Sequence, residues 1–314
     1  MRSDGIALWQ GLNAVPDGVR AAVTIGVFDG VHRGHQALMR EVLQRAREND
    51  AIPVVVTFDR HPLSVIAPDK EPAVITTLRQ RARAMGDVGI GAILVLRFDD
   101  ELRHLSAEDF VKRVLVDTLG CVHAVVGANF RFGFQQQGTI ETLSDLGAKY
   151  GFGVTIFALQ TARTEDVVSS SLIRRHIAEG KVEEAAAELT RPFRLEGYVE
   201  HGAGRGKTLG FPTANLRIPG RMLLPRLGVY AGWLDVDGAR LPAVINVGLN
   251  PTFGDRDTPI VEAYALDFDG DLYGKVVELE FTHRLRDEMK FESADALVEQ
   301  IKQDVARGRA LLTG

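Results

Sequence analysis

Between His201 and Leu216 the chain reads HGAGRGKTLGFPTANL, and several chemistry-bearing residues crowd into it. Gly202, Gly204 and Gly206 supply backbone that can approach a ligand closely, with Arg205 and Lys207 interleaved. On such a loop the N–H groups can curl around phosphate oxygens while the cations add charge. Thr213 and Asn215 follow, and extended backbone there puts a hydroxyl and an amide on one face. One hydroxyl and one amide oxygen suit a hard cation such as Mg²⁺. The stretch is not a P-loop. That motif needs Gly where His201 stands, and it must open a helix, against which Pro212 argues. Taken alone, the loop reads better as a glycine-rich turn with solvated cations, and the attached Pro212–Asn215 shifts the balance toward phosphate.

A second group lies in GVFDGVHRGHQAL, residues 26–38. Gly30 and Gly34 allow backbone to reach phosphate at the start of a helix, where an anion is favoured. His32 and His35, three residues apart, can address one phosphate. A metal triad of these two with His61 lacks a carboxylate or thiolate at matching spacing. TFDRHPLSVI brings Asp59, Arg60 and His61 to the end of a strand before Pro62. VGANFRFG alternates Phe130 and Phe132 with Arg131 and Gly133. That is either a half-buried strand edge or a wall for a flat ring, with Asn129 donating hydrogen bonds. In VSSSLIRRHI, Ser169, Ser170 and Ser171 precede a helical run and are ordinary caps by themselves.

The elements that must hold these residues differ between the two halves. AVTIGVF, PVVVTF, AILVLRF, HAVVGANF and FGVTIFAL are apolar, β-branched runs separated by helical patterns such as 35–47, 78–85 and 107–119. Ser106 and Asp109 form a capping pair for the last of these. Alternation of this kind predicts a doubly wound, Rossmann-like parallel sheet, with ligands at the carboxyl ends of its strands. A helix over 181–189 ends at Thr190-Arg191-Pro192, after which the texture changes. RLEGYVEH, GVYAGWLDV, RLPAVINVG, IVEAYALDF and KVVELEF are short strands, with Asp237-Gly238 and Asp269-Gly270 as hairpin turns. An antiparallel β-barrel or sandwich is expected, with a terminal helix carrying Leu297, Ile301 and Val305. The domains are therefore set at 1–188 and 189–314.

With 314 residues, 45% hydrophobic and 25% charged, the chain has the composition of a two-domain globular protein. A net charge of −5 gives no basic field for nucleic acid, and no run is apolar and long enough for a membrane span. One cysteine, Cys121, suits a reducing cytoplasm. Self-association is left open, and the first twenty residues carry no assignment.

GKTLGFPTANL resembles the signature of riboflavin kinase, and HxGH with SSSLIR, TFDxHP and VGxxFRFG is similar to the FMN adenylyltransferase module of prokaryotic FAD synthetase. Together the resemblances cover nearly the whole chain. They imply two reactions: ATP phosphorylates riboflavin to FMN in the C-terminal domain, then adenylylates FMN to FAD in the N-terminal domain. Riboflavin, FMN, FAD and ATP are the implied partners, with Mg²⁺ accompanying ATP. Residue by residue, the resemblance implies Glu262 as the kinase base and Thr213 and Asn215 at the metal–nucleotide complex. It assigns His32, His35 and Arg174 to the reacting phosphates. ATP contacts fall on Gly26, Phe28, Asp29, Gly34, Ser169, Ser170 and Ser171, and on Gly202, Gly204, Arg205, Gly206, Lys207 and Thr208. Flavin contacts fall on His61, Pro62, Asn129, Phe130 and Phe132, and on Asn246, Tyr273, Arg286 and Glu288. Arg60 stands where the family usually has Pro, Asn129 where it often has Asp, and Ser171 where it has Thr. The other reading is a riboflavin kinase whose N-terminal domain senses nucleotides or flavins without turning them over.

The chemistry explains the asymmetry of the residue sets. A ribityl alcohol is a poor nucleophile at neutral pH and needs a carboxylate to take its proton. The FMN phosphate is already ionised, so adenylyl transfer needs charge stabilisation and no base.

Overall fold

A computed structural model describes residues 2–3, 6–158, 168–202, 205–249 and 259–313, with residues 2, 3, 205 and 207 described by backbone alone. Gly204 and residues 250–253 of the NVGLNPTF stretch lie outside that set. The chain packs as two units, one of Met1–Pro72 with Leu78–Val168, the other of Ala73–Thr77 with Ser169–Gly314.

The first unit is a seven-stranded sheet in the order β1-β2-β5-β4-β3-β6-β7. Its strands are β1 (Arg2–Ser3), β2 (Ile6–Gln10), β3 (Ala21–Ile25), β4 (Ile52–Phe58), β5 (Ala92–Leu96), β6 (Cys121–Gly127) and β7 (Gly153–Phe157). All neighbours run parallel except the two-residue β1 against β2. Helices α1 (Arg33–Glu48), α2 (Leu63–Ile66), α3 (Leu78–Val88), α4 (Asp100–Arg103), α5 (Ala107–Phe110) and α6 (Ile140–Tyr150) join the strands. One face of the sheet buries Ala22, Val55 and Ile93 under Met39, Val42 and Met85 of α1 and α3. The other buries Val23, Val54 and Leu94 under Phe110, Val114, Leu115 and Leu143. Strands covered on both faces read as unbroken apolar runs, which is why they stood out in the sequence. Cys121 lies in this second core, and burial pushes its thiol up to about 12.

Two details were not expected. The helix begun by α5, with Asp109 N–H donating to Ser106 Oγ at 3.0 Å, continues as a π-helix over Val111–Thr118. Its i→i+5 turn matches contacts five residues apart: Lys112 with the Asp117 carboxylate and Thr118 Oγ1 with the Arg113 carbonyl, both at 2.7 Å. The unassigned N-terminal region supplies β2, which pairs with β5.

The second unit begins with α7 (Ser170–Ala178) and α8 (Val182–Leu189). A closed barrel follows in the order β10-β11-β12-β9-β8-β13. Its strands are β8 (Phe193–Glu200), β9 (Ala214–Arg217), β10 (Gly228–Val236), β11 (Ala239–Leu249), β12 (Pro259–Ala265) and β13 (Val276–Arg286). One turn of helix, α9 (Arg205–Thr208), and the terminal α10 (Ala294–Thr313) complete it. Alternate residues fill the interior, among them Phe193, Leu195, Leu234, Ile245, Val261, Leu279 and Phe281. Asp237-Gly238 is a tight hairpin turn, with φ of 48° and 82° and Val236 paired to Ala239. Asp269-Gly270 is not, because β12 pairs with β11 and β9 rather than with β13. Helix α10 lays Val305 and Leu312 against Val229, Ala231, Val244 and Leu285.

Candidate active site

In the barrel, the chemistry falls on one row. Asn215 on β9 pairs with Glu262 on β12, and Glu262 pairs with Asn246 on β11. Directly opposed residues bring their Cβ atoms to roughly 5 Å. Their neighbours Leu216, Val261 and Val247 point into the barrel and are buried. Alternation therefore sends Asn215, Glu262 and Asn246 to the outer face, where all three are half-buried.

The glycine loop folds back onto that row. A Cβ at Gly202 would overlap the Asn215 side-chain amide, and one at Gly206 would meet the Phe211 carbonyl and come 3.2 Å from Thr213 Oγ1. The Gly206 carbonyl accepts from Leu209 at 3.1 Å and from Phe211 at 2.8 Å, closing the turn. Phe211 then sets its ring edge-on to Tyr264, 5.5 Å away on the same face of β12 as Glu262. Glycine is thus required at 202 because the Asn215 side chain occupies the space, and at 206 because the Phe211 carbonyl does. The turn of helix over Arg205–Thr208 departs from the expectation that Pro212 forbids one. It ends four residues before the proline, so no ladder hydrogen bond is lost.

The donor chemistry of Thr213 and Asn215 fits a hard cation carried by a nucleotide: their oxygens are neutral, and the pairing of strands holds Glu262 beside Asn215. Among the described residues no cluster of three His, Cys, Asp or Glu could hold a metal, which includes the trio His32, His35 and His61.

Glu288 joins the row through Gly248. A Cβ there would overlap Glu288 Oε1 and come 3.1 Å from Asn246 Nδ2. Arg286 is occupied elsewhere: its Nε and second amino group meet the Asp304 carboxylate at 2.8–3.0 Å, and its other amino group donates to the Asp287 carbonyl at 2.9 Å. Asp304 is buried and also accepts from Gln300 at 3.0 Å. This pair fastens α10 to the barrel and was invisible to local sequence reading, since eighteen residues separate the partners. Tyr273 is half exposed and stacks on His201 with ring centroids 3.9 Å apart. Ser169 caps α7, its Oγ accepting from Leu172 N–H at 3.2 Å, with Ser170 half-buried and Ser171 exposed. One turn on, Arg174 Nε donates to the Ala73 carbonyl at 2.7 Å.

In the first unit, the loop between β3 and α1 carries the histidines. His32 is the N-cap of α1, its Nδ1 accepting from His35 N–H at 3.4 Å. A ring nitrogen that accepts is unprotonated, so in the neutral ring the proton sits on Nε2. The His32 and His35 rings stack at 3.6 Å. Burial, reinforced by repulsion from His32, holds His35 well below the usual imidazole range, so it is neutral at pH 7. Phe28 is buried with its ring folded over Gly26 and its edge on His35 at 5.1 Å. It is a post for His35 rather than an open contact surface. Asp29 is buried, and Gly34 sits in the first turn of α1. Phe28, Gly30 and Val31 all have positive φ, at 51°, 84° and 43°. For Phe28 and Val31 this backbone costs roughly 1–2 kcal/mol each.

The loops after β4 and β6 flank this one, because β3 lies between those strands. His61 Nδ1 accepts from Leu63 N–H at 3.1 Å, and Pro62 is the N-cap of α2. Asp59 accepts from Phe98 N–H at 2.9 Å and pairs with Arg60 at 3.0 Å, which gives Arg60 a local partner. Asn129 is exposed after β6. Phe132 is core, stacked with Phe130 at 5.3 Å, and neither lies in a regular strand. Sequence reading missed Thr57, Gln36 and Arg81, which hold this loop from behind. The signal for Arg81 was its place between Leu78 and Met85 on the apolar stripe of α3, masked by Arg79 and Arg83 beside it.

Both loops are built to approach phosphate, one at the carboxyl edge of a parallel sheet and one on a barrel beside a carboxylate, the makings of a protein that transfers phosphoryl and nucleotidyl groups. The FAD synthetase family model matches residues 16–172 and the riboflavin kinase model residues 189–312. The bifunctional riboflavin kinase/FMN adenylyltransferase of Pseudomonas fluorescens is 40% identical over 95% of both chains. That of Listeria monocytogenes is 37% identical over 96% of this chain and 93% of its own, and that of Escherichia coli K12 is 37% identical over 91% of each. A crystal structure described as a macrolide-efflux protein from Streptococcus pneumoniae superposes with a TM-score of 0.85 at 31% identity, covering 97% of this chain and 99% of that one. Among the described residues here, no helix is long and apolar enough to cross a membrane. The chain belongs to the bifunctional riboflavin kinase/FMN adenylyltransferase family.

Proposed function

We propose that the chain phosphorylates riboflavin to FMN and adenylylates FMN to FAD, each with ATP, and that the residues divide the work as follows. On the barrel, Glu262 accepts the proton of the ribityl 5′-hydroxyl as that oxygen attacks the γ-phosphorus of ATP and ADP leaves. The backbone of the Gly202–Thr208 loop, with Arg205 and Lys207, spreads the developing charge over the transferred group. Thr213 and Asn215 would hold the divalent cation, Mg²⁺ in this reading, that accompanies ATP, and that cation would supply positive charge to the phosphates. Asn246 and Glu288 face the flavin, and Tyr273 borders it.

In adenylyl transfer, an oxygen of the FMN phosphate attacks the α-phosphorus of ATP, a P–O bond forms, and pyrophosphate leaves with the electron pair of the bond broken. His32 and His35 stabilise charge on the reacting phosphates. Phosphate beside the stacked pair favours the protonated ring, against the burial and His32 repulsion that disfavour it in the free protein. The helix start at Ser169–Ser171, with Arg174, takes phosphate oxygens of ATP. His61, Pro62, Asn129 and Phe130 line the flavin side.

The observation that carries this reading is the single row Asn215–Glu262–Asn246 beneath the glycine loop, which sets a base beside a phosphate cradle. We further place the change of module at 188/189, supported by the two family matches, although α7 and α8 pack with the second unit. A cytoplasmic setting, without nucleic acid as a partner, is supported by the buried reduced Cys121 and the net charge of −5. The test is a time course with riboflavin, ATP and MgCl₂, separating flavins by chromatography. FMN should appear first and FAD follow. FMN accumulating without FAD would leave a kinase with a sensing first unit, and no product from folded protein with any divalent metal would sink both assignments.

A further inference from the structure

The turn between β3 and α1 holds left-handed backbone at Phe28, Gly30 and Val31, and Val31 is both β-branched and fully buried. Such a conformation persists only where its surroundings over-determine it. Three side chains do so from within the first unit. Gln36 Nε2 donates to the Val31 carbonyl at 2.9 Å. Thr57 Oγ1 donates to the Val27 carbonyl at 3.2 Å. Arg81, from α3, donates to the same carbonyl at 2.8 Å and lies 3.4 Å from Thr57 Oγ1.

Arg81 is the unusual member. It is only 6% exposed, it occupies the apolar side of its helix, and among the described residues its Nε makes no hydrogen bond. Burial opposes its charge, and among the described residues the compensating attraction comes from the buried Asp29 of the loop itself. An uncharged side chain of similar length would fill the space without desolvating a guanidinium. What it could not do is give a charged donor to Val27. The Val27 carbonyl precedes Phe28, whose ring rests on Gly26 and supports the edge of His35. A connected path thus runs from Arg81 through Val27 and Phe28 to the stacked histidines.

We infer that Arg81 is a positioning residue for adenylyl transfer, fixing the backbone of the Val27–Val31 turn and through it the placement of His35 against the reacting phosphates. It touches neither phosphate nor flavin in this role. The inference rests on the assignment of this loop to FAD formation, and the experiment separates the two. Full-length Arg81→Met, Arg81→Lys and Thr57→Val would be assayed for FAD formation from FMN, ATP and MgCl₂, with kinase rates, melting temperature and near-ultraviolet circular dichroism taken on the same preparations. Arg81→Met should lose roughly tenfold or more in kcat with KM for ATP nearly unchanged, since misplacing a group by a fraction of an ångström slows chemistry more than binding. Arg81→Lys, which keeps a charged donor, should recover most of that loss. Thr57→Val should lose less, in the same direction, and it carries the test if Arg81→Met does not fold.

Folded variants with parental kcat would overturn the inference. So would a loss that tracks the melting temperature and that lysine does not restore, which would make Arg81 structural only. His35→Ala is run alongside. If His35→Ala makes FAD at the parental rate, the loop assignment itself fails. If it does not, and Arg81→Met does, the role of Arg81 alone is withdrawn.

Discussion

The barrel and the sheet solve the same problem, holding triphosphate, by opposite means. In the barrel the proposed site is assembled across strands: Asn215, Glu262 and Asn246 are distant in sequence and meet only through pairing register. In the sheet unit the central residues come from one turn and the helix after it, His32 capping the helix and His35 stacked on His32. The difference follows from the nucleophiles. An alcohol must lose its proton, so a carboxylate has to be brought from another strand to a phosphate loop. An ionised phosphate needs only donors, and a strand-to-helix turn provides those locally.

The sharpest way to break this comparison is a double dissociation. Glu262→Ala should lower kinase kcat by roughly 10²–10⁴, the usual worth of a general base, and leave FAD formation from supplied FMN intact. His35→Ala should lower FAD formation by roughly 10²–10³, the worth of one charge-stabilising donor, and spare the kinase. Both are read from separate assays of FMN and FAD on one preparation. A folded variant that loses both activities would mean the two sites are not independent. Next in size is Gly202→Ala. Its methyl would overlap the Asn215 amide, and a displacement of about 1 Å there should slow the kinase by up to about 10². A kinase unchanged by this substitution would show that the glycine loop does not bear on the Asn215–Glu262 row.

The smallest effect is on stability and belongs to the sheet unit alone. His35 is held below its ordinary value in the folded protein, so the unfolded chain binds a proton there first. Stability contributed at neutral pH should therefore decline as pH falls below about 6.5, and continue to decline toward the depressed folded value. Thermal melts of the parent at pH 7.5 and 5.5 should show a larger fall than those of His35→Gln. Equal falls would mean that His35 is not the group responsible.

The same contrast explains what could be read from the sequence. Val54–Val56 and Ile93–Val95 announced a sheet covered on both faces because burial on both faces leaves no polar alternation. The closeness of His32 and His35 was legible from their three-residue spacing at a helix start, while their stacking was not. The barrel row was legible only in part. Thr213, Asn215 and Glu262 were named through resemblance, while the facts that join them, strand order and register, are long-range and leave no local trace. For the same reason Asp269-Gly270 passed for a hairpin although its flanking strands do not pair. Arg286 is assigned to flavin by resemblance alone, and its partner Asp304 lies on a helix that sequence could place only on the barrel in general. Arg81 was hidden in a run of exposed-looking arginines.

Cys121 gives the protein a built-in clock. It is the chain's one thiol, it lies in the core between the sheet and its second helical layer, and at about 12 its ionisation is far above working pH. A thiol-reactive probe therefore cannot label the folded chain at an appreciable rate, since both access and thiolate are missing. Each labelling event marks an opening of the sheet unit, while the barrel contributes nothing to the signal. The rate of adduct formation thus reports the local unfolding of one half of a two-unit chain without any engineered reporter.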